Sequence, residues 1–70
     1  MPLSMVSAGE NVSIQKISGK DETKKFLENL GLVVGGMVSV VSTFNGNIIV
    51  NIKNSRIALD KTMANRILVA

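Results

Sequence analysis

Glu10, Asp21, Glu22, Glu28 and Asp60 are the only carboxylates among the 70 residues, and there is no histidine or cysteine to work with them. Without imidazole there is no general base poised near neutral pH and no relay to activate a serine or threonine hydroxyl. The nitrogen and sulfur ligands that ferrous iron, zinc and copper favour are missing with them, and disulfides are excluded. A hard cation held by oxygen alone needs about six ligands in a preset loop; Glu10, Asp21, Glu22 and Asp60 show no such spacing. Asp21 and Asp60 suit another task, since each stands where a short helix is to begin and a carboxylate can accept from the free N–H groups of the first turn. Gly31, Gly35 and Gly36 match neither nucleotide-binding fingerprint, and no Gly-Lys-Ser/Thr follows them. The composition argues against an enzyme, against a metal site and against a bound cofactor.

The formal net charge is +3, but only 19% of the residues are charged and Tyr and Trp are absent. Lys20, Lys24 and Lys25 are interleaved with Asp21, Glu22 and Glu28, which reads as a solvated face more than as a phosphate track. Nucleic-acid binders carry a denser cationic footprint, often with aromatic platforms. No stretch approaches the ~20 apolar residues of a membrane-spanning helix. Met1-Pro2-Leu3-Ser4 lacks the basic start and apolar run of a secretion signal, so a cytoplasmic location is expected.

What the chain has in excess is apolar surface. Hydrophobic residues make up 46%, with Phe26 and Phe44 the only aromatics, and the Val and Ile content favours strands. Gly9 to Asn11 is expected to turn into a strand through Val12, Ile14 and Ile17, whose alternation slips at Lys16 as a bulge would make it. Asp21 to Leu30 forms a short helix with Asp21 as N-cap and Phe26, Leu27 and Leu30 as its apolar stripe, although Phe26 and Leu27 are ~100° apart and one of them can face outward. Gly31 ends the helix in the left-handed conformation, with Leu32 placed to meet Leu27 in a Schellman motif. After a Gly35-Gly36 turn, Met37 to Phe44 is a strand with Val38, Val40 and Phe44 inward and Met37, Val41 and Thr43 outward. Asn45-Gly46 specifies a two-residue type I′ hairpin. The returning strand, Asn47 to Lys53, turns Ile48, Val50 and Ile52 inward and Ile49 outward, and Asn54-Ser55 turns into the strand Arg56 to Leu59. Asp60 caps a helical turn to about Asn65, and Ile67 to Val69 is the last strand.

Residues 1–70 thus form one domain. Its fold class is mainly β: a five-stranded, partly open small barrel, with one short helix after the first strand and a helical turn before the last. One barrel face cannot bury all the apolar residues. The helix and the segment Leu3 to Val6 provide some cover, and the remainder marks a protein partner or self-association. The first candidate surface is Phe26, Val33 and Val34, flanked by Lys24 and Lys25; the second is the outward strand face around Met37, Val41 and Ile49.

The string Lys25-Phe26-Leu27-Glu28-Asn29-Leu30-Gly31-Leu32-Val33-Val34-Gly35, followed by the valine strand, Arg56-Ile57-Ala58-Leu59 and Ala64-Asn65-Arg66-Ile67-Leu68-Val69, resembles the FeoA family, the small proteins called ferrous iron transport protein A. The resemblance runs from Leu3 to Val69, and the order and spacing of the pieces carry it more than any one piece. It departs at Val34, where the family usually has proline before the closing glycine. The resemblance implies an SH3-like barrel. It also implies a partner, the cytoplasmic GTPase region of the FeoB-type membrane transporter, with the module acting as an accessory or regulator of ferrous iron uptake, recruited through that partner to the inner face of the cell membrane. With no histidine or cysteine the connection to iron runs through the partner. One rival is the SH3-like C-terminal domain of DtxR-like metal-dependent repressors; a chain opening at Met1 without a helix-turn-helix favours a free-standing module. An RNA-binding small barrel is the other, disfavoured by the missing aromatics and low charge.

Overall fold

The computed structural model describes residues 1–19, 21–53 and 55–70, and every side chain among them except that of Asp21. After a single 3-10 turn at Leu3–Met5, the elements are β1 (Asn11–Ile17), α1 (Asp21–Asn29), β2 (Met37–Phe44), β3 (Asn47–Ile52), β4 (Ser55–Leu59), α2 (Lys61–Asn65) and β5 (Ile67–Val69). The strands form one antiparallel sheet in the order β4-β3-β2-β1-β5. β1 curls the sheet by serving two neighbours: Asn11 to Ser13 pair with β2, and Ile14 to Ile17 pair with β5. The register slips between Ile14 and Lys16, the bulge the sequence alternation predicts.

Alternation fills the inside. Val12, Ile14 and Ile17 of β1, Val38 and Val40 of β2, Ile48, Val50 and Ile52 of β3, Leu59 of β4, and Ile67 and Val69 of β5 are all buried. Leu3 and Val6 from the N-terminal segment, Leu27 and Leu32 from the end of α1, and Ala64 of α2 complete the core. Among the described residues no polar side chain is buried, so cohesion rests on apolar burial at roughly 25 cal/mol per Å² and on the backbone ladders. The N-terminal segment is tied down twice. Pro2 bridges Leu68, with the Val69 N–H donating to the Met1 carbonyl at 2.7 Å, and the Ser4 hydroxyl donates to the Asn65 side-chain oxygen.

The local signatures act as their chemistry dictates. Asn45 and Gly46 have φ of +50° and +83° between the paired residues Phe44 and Asn47, as a type I′ hairpin requires. The Asp60 carboxylate accepts from the Met63 N–H at 2.8 Å and caps α2.

Five expectations are corrected. Phe44 does not face the core: the register slips between Val40 and Ser42, so Thr43 falls opposite the inward Ile48 and Phe44 opposite the solvent-facing Asn47. One inserted residue, Val41, reverses the faces beyond it. The helix stripe is narrower than predicted, with Leu27 buried, Leu30 half-buried and Phe26 exposed. The first turn lies earlier than expected, over Ser7 to Glu10, and Asn11 already belongs to β1. The turn after β3 contains Lys53, with φ of +54°, and Ser55 is the first residue of β4; Asn54 lies outside the described residues. Asp21, expected as the N-cap, is instead the first residue of α1, and its side chain likewise lies outside them.

Candidate interaction surface

Helix α1 ends in a full Schellman motif. The Leu32 N–H donates to the Leu27 carbonyl at 3.0 Å, the Gly31 N–H donates to the Glu28 carbonyl at 2.9 Å, and Gly31 has φ of +101°. Leu27 and Leu32, the pair such a motif brings together, are both fully buried. Anchoring the helix through Leu27 turns its neighbour Phe26 outward, where it is 52% exposed.

The chain then makes a β-turn over Val33 to Gly36, closed by the Gly36 N–H on the Val33 carbonyl at 2.9 Å. Positive φ at Gly35, the third residue, makes it type II. β1 grips this turn from both sides: the Gly35 N–H donates to the Ile14 carbonyl at 2.8 Å, and the Ile14 N–H donates to the Gly36 carbonyl at 2.9 Å. Val33 and Val34 are therefore held outward on a fixed backbone, Val34 at 60% exposure. Met37, the next large side chain, is equally exposed.

The structure redistributes the two predicted surfaces. Phe26, Val33 and Val34 are all exposed, on α1 and the turn that follows it, and Met37 is exposed at the start of β2. Val41 and Ile49 are half-buried around the β2 bulge, where Ile49 pairs with Ser42, so they form no exposed patch with Met37. Lys24 and Lys25 are exposed on α1, but so are Glu22 and Glu28 on the same helix, and the rim is mixed in sign. Sequence reasoning missed Met5 and Phe44, both about 70% exposed. Met5 and Thr43 line an open cleft of about 540 Å³ with Ser4, Ala8, Gly46 and Lys61. Phe44 was hidden by the bulge, which leaves no local mark in the sequence.

Among the described residues no three carboxylates cluster as a metal site would require, and no helix is long and apolar enough to cross a membrane. Fold and surface together define a small β-barrel domain with exposed apolar side chains on α1 and the turn after it.

Comparison with known proteins makes the class specific. The protein-family model of the FeoA domain matches residues 1–70, and the chain belongs to that family. It is 31% identical over 68 residues to a Methanocaldococcus jannaschii protein named as an Fe(2+) transport protein A, covering 97% of this chain and 83% of the relative. Among solved structures it superposes on an iron uptake regulatory protein, FeoA, with a TM-score of 0.92 at 27% identity, covering 99% of this chain and 93% of the other. The FeoA of Stenotrophomonas maltophilia, described as a procaryotic SH3 domain protein and solved with zinc, matches with a TM-score of 0.86 at 24% identity, covering 100% of this chain and 89% of that one. The fold is accordingly SH3-like. A manganese-dependent transcriptional repressor shares it over 35% of its own length at 20% identity, a likeness of fold alone.

Proposed function

We propose that this protein is a cytoplasmic accessory of ferrous iron uptake that acts by binding another protein, the cytoplasmic GTPase region of an FeoB-type transporter. Family membership supports the iron connection. The lack of histidine and cysteine directs it to a protein–protein contact instead of carriage of the ion. The observation that carries the choice of surface is the rigid display of Phe26, Val33 and Val34, with Met37 also exposed where β2 begins, on a Schellman end and a turn clamped to β1. Pre-ordered apolar anchors lose little entropy on binding, and a patch of this extent suits a transient complex. Lys24 and Lys25 contribute to encounter more than to final affinity.

Two double variants test this against the purified GTPase region by pull-down and surface plasmon resonance. Val33→Asp with Val34→Asp should abolish binding while the circular dichroism spectrum and Tm stay close to those of the parent. Lys24→Glu with Lys25→Glu should mainly slow association, and by less at high salt. Unchanged binding by the folded double-Asp protein would refute this surface.

A further inference from the structure

The two edges of the sheet are treated differently. The outer side of β5 is occupied: Pro2 bridges Leu68 and the Val69 N–H reaches the Met1 carbonyl, a proline-blunted edge. β4 is the other edge, and among the described residues no bridge or backbone hydrogen bond reaches its outer side. Of the usual devices against strand addition it carries charge, at the exposed Arg56, but lacks two others. It contains no proline, and its five pairs with β3, from Ile52↔Ser55 to Ile48↔Leu59, run without a bulge. In an antiparallel ladder every second residue directs its N–H and C=O away from the paired strand. Counting from the turn-closing pair Ile52↔Ser55, those residues are Arg56 and Ala58, and both are exposed.

Charge says what the edge would accept. Through residue 52 the four lysines Lys16, Lys20, Lys24 and Lys25 are cancelled by Glu10, Asp21, Glu22 and Glu28. The whole net charge of +3 therefore comes from Lys53, Arg56, Lys61 and Arg66 against Asp60 alone. Lys53 precedes β4, Arg56 lies on it and Lys61 follows it, while the Asp60 carboxylate is turned to the Met63 N–H as a cap. A second copy of this chain is a poor occupant. The blunted β5 edge blocks head-to-tail addition, and a two-fold β4 pairing would gather the same three cations from both copies on one ladder, where like charges destabilise.

We propose that the open edge of β4 receives an extended acidic segment of a partner protein as a sixth, added strand. The backbone groups of Arg56 and Ala58 supply the hydrogen bonds, and Lys53, Arg56 and Lys61 select for acidic side chains. The edge uses none of the residues Phe26, Val33 and Val34, and the proposal does not rest on that surface.

The test titrates the 15N-labelled full chain with a seven-residue peptide alternating glutamate and valine. Two controls accompany it: a lysine–valine version, and the acidic peptide N-methylated at every residue, which keeps its charge but cannot join a ladder. The acidic peptide should perturb amides over Ser55 to Leu59 and slow exchange of the Ala58 amide. Its binding should weaken at least tenfold for either control and for Arg56→Glu. Ala58→Pro, which removes an outward N–H, should abolish binding while leaving the chain folded by circular dichroism. The double Asp variant of Val33 and Val34 should bind the peptide as the parent does, which keeps this result distinct from the transporter experiment. Equal affinity of the N-methylated peptide, or no perturbation of β4 at millimolar acidic peptide, would overturn the proposal. So would a dimer in sedimentation equilibrium that Ala58→Pro dissociates.

Discussion

At the scale of single residues, the positions that matter most are those where one atom decides a backbone conformation. Gly31 is the clearest. Its φ of +101° is outside what L side chains readily adopt, whereas the space around it is ordinary, since an added Cβ would meet Ile52 Cγ2 at 3.4 Å. The cost of a side chain there is conformational more than steric. Gly31→Ala should lose about 1 kcal/mol or more, and Gly31→Val should lose more because β-branching narrows the options further. Urea denaturation of the two variants checks both the size and the order of the losses. An unchanged midpoint for Gly31→Val would show that the helix does not end in a Schellman motif. This residue was legible in the sequence because the need for glycine after Leu30 and for Leu32 opposite Leu27 is written within six consecutive residues. The division of labour between Phe26 and Leu27 was only half legible, since which of two adjacent apolar residues faces inward depends on how the barrel receives the helix.

At the scale of elements, the turn from Val33 to Gly36 joins stability to function. Val34 is the second residue of a type II turn, where φ near −60° favours proline. Its N–H makes no backbone hydrogen bond among the described residues. Val34→Pro should therefore stabilise the protein by ~0.4–1 kcal/mol through the unfolded state. For a domain of this size that corresponds to a rise in Tm of about 4–8 °C per kcal/mol, readable by calorimetry. A lower Tm would mean that the turn is not the type II turn described. Elements with local chemistry were readable beforehand: the Asn45-Gly46 hairpin, the Asp60 cap, and the bulge in β1 signalled by Lys16 breaking the alternation. The bulge in β2 was not, because Val40-Val41-Ser42-Thr43 continues without a break in strand-forming residues. Phe44 followed the alternation into an inward assignment that the inserted Val41 reverses. The open edge of β4 was also out of reach, since an edge is a property of strand order and of what the N-terminal segment covers.

At the scale of the whole molecule, the distribution of polar groups bears on whether the protein itself handles iron. Every buried side chain among the described residues is apolar, so there is no interior polar cage to enclose an ion. The carboxylates are dispersed: Glu10 stands before β1, Glu22 and Glu28 lie on exposed positions of α1, and Asp60 caps α2. No three described acidic groups converge. Surface carboxylates bind divalent cations weakly and with many waters retained, whereas tight first-row sites add nitrogen or sulfur ligands that this chain does not contain. The expected outcome of anaerobic calorimetry with ferrous iron, and of a parallel titration with zinc, is no stoichiometric site of sub-micromolar affinity. Heat of that strength at one ion per chain would overturn the reading of this module as one that meets iron only through its partner. Repeating the titration with the GTPase region present separates the alternatives. An affinity that arises only in the complex would place the missing ligands on the partner, and one present in the isolated chain would place them here.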